Sequence, residues 1–141
     1  MDAVLTVVIA GEPVSESRKP LSENKKTVER YIDGFNTSDH EKILSCLTDD
    51  IEWTVFGAFQ LRGKAAYDKE IENPAFIGRP KVTILRMVEE DDVVMAEMGL
   101  EAHRADGEPM RAAMGEVFVM RDGKICERKA YLVELKENEY R

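Results

Sequence analysis

A glutamate set in an otherwise apolar run is the residue of this 141-residue chain with the greatest chemical potential. Glu116 lies in Met114-Gly115-Glu116-Val117-Phe118-Val119-Met120, and in a strand of period two its own face carries Met114, Phe118 and Met120. A carboxyl among such neighbours is costly to bury unless it has a partner or lines a wet cavity. Two placements are open. Glu116 faces an internal pocket, or it faces outward at a dimer interface and pairs with Lys129 or Arg128 on the next strand. A second polar group, Glu97, Glu101 and His103, shares one strand face opposite Val94, Ala96, Met98 and Leu100, and reads as solvated surface. His40 falls in a helix's first turn and is expected to be exposed. Together His40 and His103 lack the ligand spacing of a metal site. Trp53 is an aromatic candidate for a pocket wall or, equally, for plain core. The chain has no Gly-rich phosphate loop and no nucleophile-elbow pentapeptide, which argues against a nucleotide-driven enzyme or a serine hydrolase.

These residues must be held by regular elements. Ser22 or Asn24 caps a first helix whose apolar stripe is Val28, Tyr31, Ile32 and Phe35. After Asn36-Thr37, Ser38 or Asp39 caps a short second helix that buries Ile43, Leu44 and Leu47. A Thr48-Asp49-Asp50 turn leads to a strand over 51–56, and Gly57 interrupts it. Residues 63–73 turn helical, with Pro74 closing the helix. From Lys81 onward four β runs follow, Lys81–Glu89, Val93–Arg104, Met110–Arg121 and Lys124–Leu135. Asp122-Gly123 between the last two is a strong hairpin signal. Helices first and a meander afterwards predict an α+β domain with the helices on one sheet face.

Charge and composition narrow the partners. A net charge of -8, without a basic stripe, argues against nucleic acid and against anionic membrane surfaces. Cys46 and Cys126 lie far apart, without metal-type spacing, and read as reduced thiols of a cytoplasmic protein. The apolar opening Ala3–Ala10 is too short to span a bilayer and follows Asp2 rather than a basic residue. Its β-branched content suits a strand or an arm. Residues 1–22 are therefore expected to form an N-terminal extension, and residues 23–141 a single domain.

From about Asn24 to Leu135 the chain resembles the nuclear-transport-factor-2-like superfamily, in its SnoaL-like and ketosteroid-isomerase-like branches. The resemblance rests on Val28-Glu29-Arg30-Tyr31-Ile32-Asp33-Gly34-Phe35-Asn36, on Leu47-Thr48-Asp49-Asp50-Ile51-Glu52-Trp53, on Arg62-Gly63-Lys64 and on Gly115 through Ile125. It implies a cone-shaped (cystatin-like) fold, a strongly curved antiparallel sheet over about three N-terminal helices, with a pocket between them and frequent dimers through the outer sheet face. It also implies roles. Tyr31 matches a tyrosine, and Glu116 a carboxylic acid, that hold an enolate oxygen in the isomerase branch. An acid kept protonated in an apolar site can donate such a hydrogen bond. That branch's carboxylate base falls on Val55, and the last-strand Asp of the cyclase and epoxide hydrolase branches falls on Ala130; neither can accept a proton.

The resulting expectation is a pocket protein for a small, largely apolar or carbonyl-containing molecule. Phe35, Trp53, Val55, Met114, Phe118 and Leu132 line the pocket, and Tyr31 and Glu116 are the candidate hydrogen-bond donors. Any catalysis would be isomerase-like proton transfer, with no cofactor and no metal. The alternative is a non-catalytic homodimeric binding or interaction protein whose pocket is ordinary core.

Overall fold

The structure, a computed structural model, describes residues 20–136. Most of the expected N-terminal arm thus lies outside the described residues. Helix α1 (Glu23–Thr37) starts where Ser22 accepts the Lys25 amide, and ends where Ser38 turns left-handed at φ 53°. Helix α2 (His40–Ser45) is capped by the Asp39 carboxylate, which accepts the Lys42 amide. The two helices touch closely because residue 34 is glycine. A Cβ there would sit 2.8 Å from the Ile43 Cγ1 of a fully buried side chain. Helix α3 (Lys64–Ile71) buries Tyr67.

Six strands follow the order β2-β1-β6-β5-β4-β3 in one sheet. They are β1 (Leu47–Val55), β2 (Phe59–Arg62), β3 (Phe76–Glu90), β4 (Val93–Arg104), β5 (Pro109–Arg121) and β6 (Lys124–Leu135). The expected antiparallel, strongly curved cone is corrected here. The sheet is mixed, because β1 runs parallel to β6. It is neither closed nor strongly curled, and its edge strands β2 and β3 lie at opposite ends with four strands between them. Closure would require those edges to pair. Edge strand β3 is instead protected at Val82, whose amide and carbonyl are both taken by the Asn36 side chain at 2.7 and 2.9 Å.

Three further differences have local causes. Thr48-Asp49-Asp50 is not a turn but an irregular stretch of β1, where the β1–β6 register shifts between Leu47 and Glu52. The four-residue β2 returns from the Gly57 turn (φ 82°) against β1. Strand β3 begins at Phe76 and carries Pro80 through an irregularity between Ile77 and Lys81, so proline does not start it. The Asp122-Gly123 turn has both residues at positive φ, 53° and 78°, as a two-residue type I′ hairpin demands.

The core lies between the helices and the inner sheet face, and includes Val28, Tyr31, Ile32, Ile43, Ile51, Phe118 and Ile125. Cys46 is buried and Cys126 half-buried, and both are free thiols. Among the described residues no helix is long and apolar enough to cross a membrane.

Candidate functional site

One irregularity in the β5–β6 hairpin sets the chemistry of the inner face. Below the turn, Met120 pairs with Ile125, but Val119 pairs with Glu127, so Cys126 is an extra residue in β6. A one-residue slip moves every later side chain to the other face of a strand. Beyond this bulge Phe118 stands opposite Arg128, and Glu116 opposite Ala130. In an unbulged hairpin Arg128 would face away from Glu116. With the bulge the two become diagonal neighbours on the inner face, and both are buried.

They form a bidentate ion pair. Arg128 Nε donates to Glu116 Oε1 and Nη2 to Oε2, each at 2.7 Å. Arg128 Nη1 donates to the Tyr31 hydroxyl and, at 3.1 Å, to the Tyr67 hydroxyl, and the two phenols bond to each other. Three elements converge here, with Tyr31 on α1, Tyr67 on α3 and the ion pair on the sheet. Burial works against the charged guanidinium, but the Glu116 carboxylate and the two phenol oxygens outweigh it and raise the Arg128 pKa well above its ordinary value. Burial raises the pKa of both tyrosines, with Arg128 opposing, so both stay neutral phenols.

Aromatic rings complete the setting. The guanidinium lies over the Trp53 ring at 4.4 Å, with the Tyr31 and Phe35 centroids at 5.1 and 5.3 Å. Trp53 neighbours Arg128 across the parallel β1–β6 ladder and stacks on Tyr67 at 4.4 Å. Its indole N–H is buried and has no partner among the described residues.

Above this cluster opens a cavity of about 320 Å³, at the small end of the range for ligand pockets. Its wall includes Phe35, Trp53, Val55, Phe59, Val82, Leu100, Met114 and Leu132; Glu116 and Arg128 are at its floor, and Glu70, Ile71, Glu72 and Asn73 are contributed by the end of α3. Of the expected site residues, Phe35, Trp53, Val55, Met114, Glu116 and Leu132 are thus brought together around one space. Two are not. Phe118 is fully buried core against Tyr31, at 6.0 Å between centroids. Tyr31 is also fully buried, behind Arg128 rather than on the wall. Glu116 accepts hydrogen bonds on both oxygens instead of donating one. Val55 and Ala130 are direct partners in the β1–β6 ladder, so both positions where the resemblance looks for a carboxylate form one alkyl patch of the wall.

Sequence reasoning missed Arg128 as an inward residue, Tyr67 and Leu100 as part of this site, and Phe59 altogether. The alternation Phe59-Gln60-Leu61 after Gly57 was a usable signal for β2, whereas the bulge left none. His40 was expected to be exposed. It is half-buried between α2 and α3, with Nδ1 2.6 Å from Asp68 Oδ1 and Nε2 bonded to Glu72. Those contacts, Asp68 first and then Glu72, raise its pKa. Glu97, Glu101 and His103 are exposed on the outer face, as read from the alternation. Among the described residues there is no cluster of three or more metal-ligating side chains.

The SnoaL-like domain family matches residues 28–128 of the chain. Solved structures match its fold at low identity. An LEH-like epoxide hydrolase from M. tuberculosis is 19% identical with a TM-score of 0.70, over 79% of this chain and 83% of that one. An NTF2-like protein of unknown function from Burkholderia pseudomallei is 15% identical with a TM-score of 0.72, over 80% and 92%. TerC, co-crystallized with polyporic acid, is 22% identical with a TM-score of 0.69, over 77% and 90%. No curated protein matches the chain in sequence.

Proposed function

The chain belongs to the SnoaL-like domain family, and from that premise we propose that it binds a small, largely apolar molecule in the cavity over Arg128 and Glu116. The observation that carries this reading is an apolar cavity of about 320 Å³ that ends on a single buried ion pair. An apolar wall with a few convergent polar groups is the usual makeup of a ligand site. TerC, similar in fold, was co-crystallized with polyporic acid. Isomerase-like proton transfer draws less support. Val55 and Ala130 offer no base, both Glu116 oxygens are engaged by Arg128, and the Tyr31 hydroxyl is shared between Arg128 and Tyr67.

Trp53 is the chain's single tryptophan and lines the cavity, so its fluorescence reports occupancy directly. Titration with a panel of small apolar ketones, alcohols and hydrocarbons is expected to give saturable changes. Filling the cavity with Val55→Phe should weaken binding by about tenfold or more. A wild-type protein that responds to no member of the panel would remove the reading.

A homodimer through the outer sheet face is a second proposal, with its own observation. Val88, Met95, Tyr131 and Val133 are exposed on strands β3, β4 and β6, and a Cβ added at Gly99 or Gly115 between them would meet nothing within 4 Å. Exposed apolar side chains gathered on one sheet face suit a protein partner. Mass in solution tests it: Tyr131→Lys with Met95→Lys should convert a dimer to monomer, and a wild-type monomer at all concentrations would refute it.

A further inference from the structure

Arg128 is the point of contact at the floor of the cavity, and its hydrogen bonds leave one donor over. A guanidinium carries five N–H donors. Nε–H and one Nη2 hydrogen go to Glu116, each at 2.7 Å. Nη1 donates to the adjacent phenols of Tyr31 and Tyr67. One Nη2 hydrogen is left without a partner among the described residues. The Arg128 side chain keeps 8% of its surface exposed, while that of Glu116 keeps 0%. Both residues line the cavity, and of the two only the Arg128 side chain keeps exposed surface to offer a ligand.

The charge of that guanidinium is already matched by Glu116. The residues lining the cavity carry one cation, Arg128, against three carboxylates, Glu70, Glu72 and Glu116. An anionic ligand would be desolvated in an apolar space without a free counter-charge, beside Glu70 and Glu72 and on a chain of net charge -8. An ammonium ligand would have to set its charge against the cation it reaches at the floor. An uncharged acceptor oxygen meets neither penalty. It finds a donor already oriented by Glu116 and by the rings of Trp53, Tyr31 and Phe35.

We infer that the cavity selects uncharged apolar molecules bearing one acceptor oxygen, a carbonyl above all, which takes the remaining Arg128 Nη2 hydrogen, and that it rejects carboxylates of the same shape. This inference rests on the pocket reading proposed above. It adds the chemical class of the ligand, and it assigns the anchoring contact to Arg128.

Four probes of one skeleton test it on the wild-type chain, followed by Trp53 fluorescence: decalin, 2-decalone, decalin-2-carboxylate and 2-aminodecalin. The ketone should bind about ten- to a hundredfold tighter than the hydrocarbon, the gain of one hydrogen bond to a charged donor. The carboxylate should bind at least about tenfold more weakly than the ketone. In the double variant Arg128→Met with Glu116→Met the ketone's advantage should vanish while decalin still binds; the wild-type series decides the matter even if that variant does not fold. Equal affinity for ketone and hydrocarbon would overturn the inference and leave the pocket reading standing. Tightest binding of the carboxylate or the amine would overturn it as well. Failure of all four probes would sink the pocket reading, and the inference with it.

Discussion

At the floor of the pocket Arg128 and Glu116 are almost fully buried, bonded through two parallel 2.7 Å contacts and backed by two buried phenols. Beside the pocket, where Glu72 forms part of the lip, His40 bridges Asp68 and Glu72 with about a third of its side chain exposed and the two carboxylates about half and two-thirds exposed. The two clusters use similar chemistry under opposite dielectric conditions. Water screens the outer one, so it contributes little and responds to pH. Desolvation makes the inner one expensive to assemble and more expensive to break by halves. A buried pair of this kind is weak evidence for stability. Its value lies in fixing where the floor of the cavity is and which groups point into it.

The largest expected effect comes from breaking the inner pair on one side. Arg128→Met leaves a buried carboxylate without its cation and should cost about 3–5 kcal/mol in urea denaturation. Adding Glu116→Leu to that variant should recover most of the loss, since well-packed apolar replacements of buried pairs are often neutral. A single variant as stable as the wild type would mean that the floor is wetter than its burial implies, and the contrast with the lip would collapse.

A smaller effect is expected from Tyr31→Phe. The ring keeps its contacts with Phe35 and Phe118, but Arg128 loses one acceptor, at a cost of about 1.5 kcal/mol. Ligand affinity should change little, because Tyr31 stands behind Arg128 and not on the wall. Loss of binding at unchanged stability would instead return Tyr31 to the site.

The smallest effect belongs to the lip, and its sign is fixed by the raised pKa of His40. The charged imidazole is favoured in the folded state, so its contribution is fully present below the unfolded value of about 6.5. It fades as pH rises through the higher folded value. The Tm difference between wild type and His40→Ala should therefore narrow from mildly acid to mildly alkaline pH, while the deficit of Arg128→Met persists across the same range. A gap that widens with pH would contradict the assigned contacts.

Much of the fold was legible because turns and alternation are local. Strands β4 and β6 occupy the residues their patterns mark, and Ser22 and Asp39 cap the helices that follow them. Short β2 and the early start of β3 were harder, since four residues or a proline-bearing stretch give too little periodicity. The site was legible in half. Glu116 was recognisable as an ill-placed acid from the Met114 and Phe118 that share its face, whereas Val55 entered only through the family resemblance. The partner of Glu116 was not legible, because Arg128 faces inward only through the bulge at Cys126.

By itself the sequence determined the order of the helices and of the last strands, the apolar stripes of α1 and α2, and the presence of an acid in an apolar run of β5. These follow from side-chain period and backbone preference, which act over a few residues. Only the tertiary structure decided that β1 lies parallel beside β6, that the sheet stays open and that Arg128 meets Glu116 between Tyr31 and Tyr67. Each of those depends on a pairing between distant segments or on a one-residue shift in register, and a shift of one residue is enough to exchange the inside of a strand for its outside.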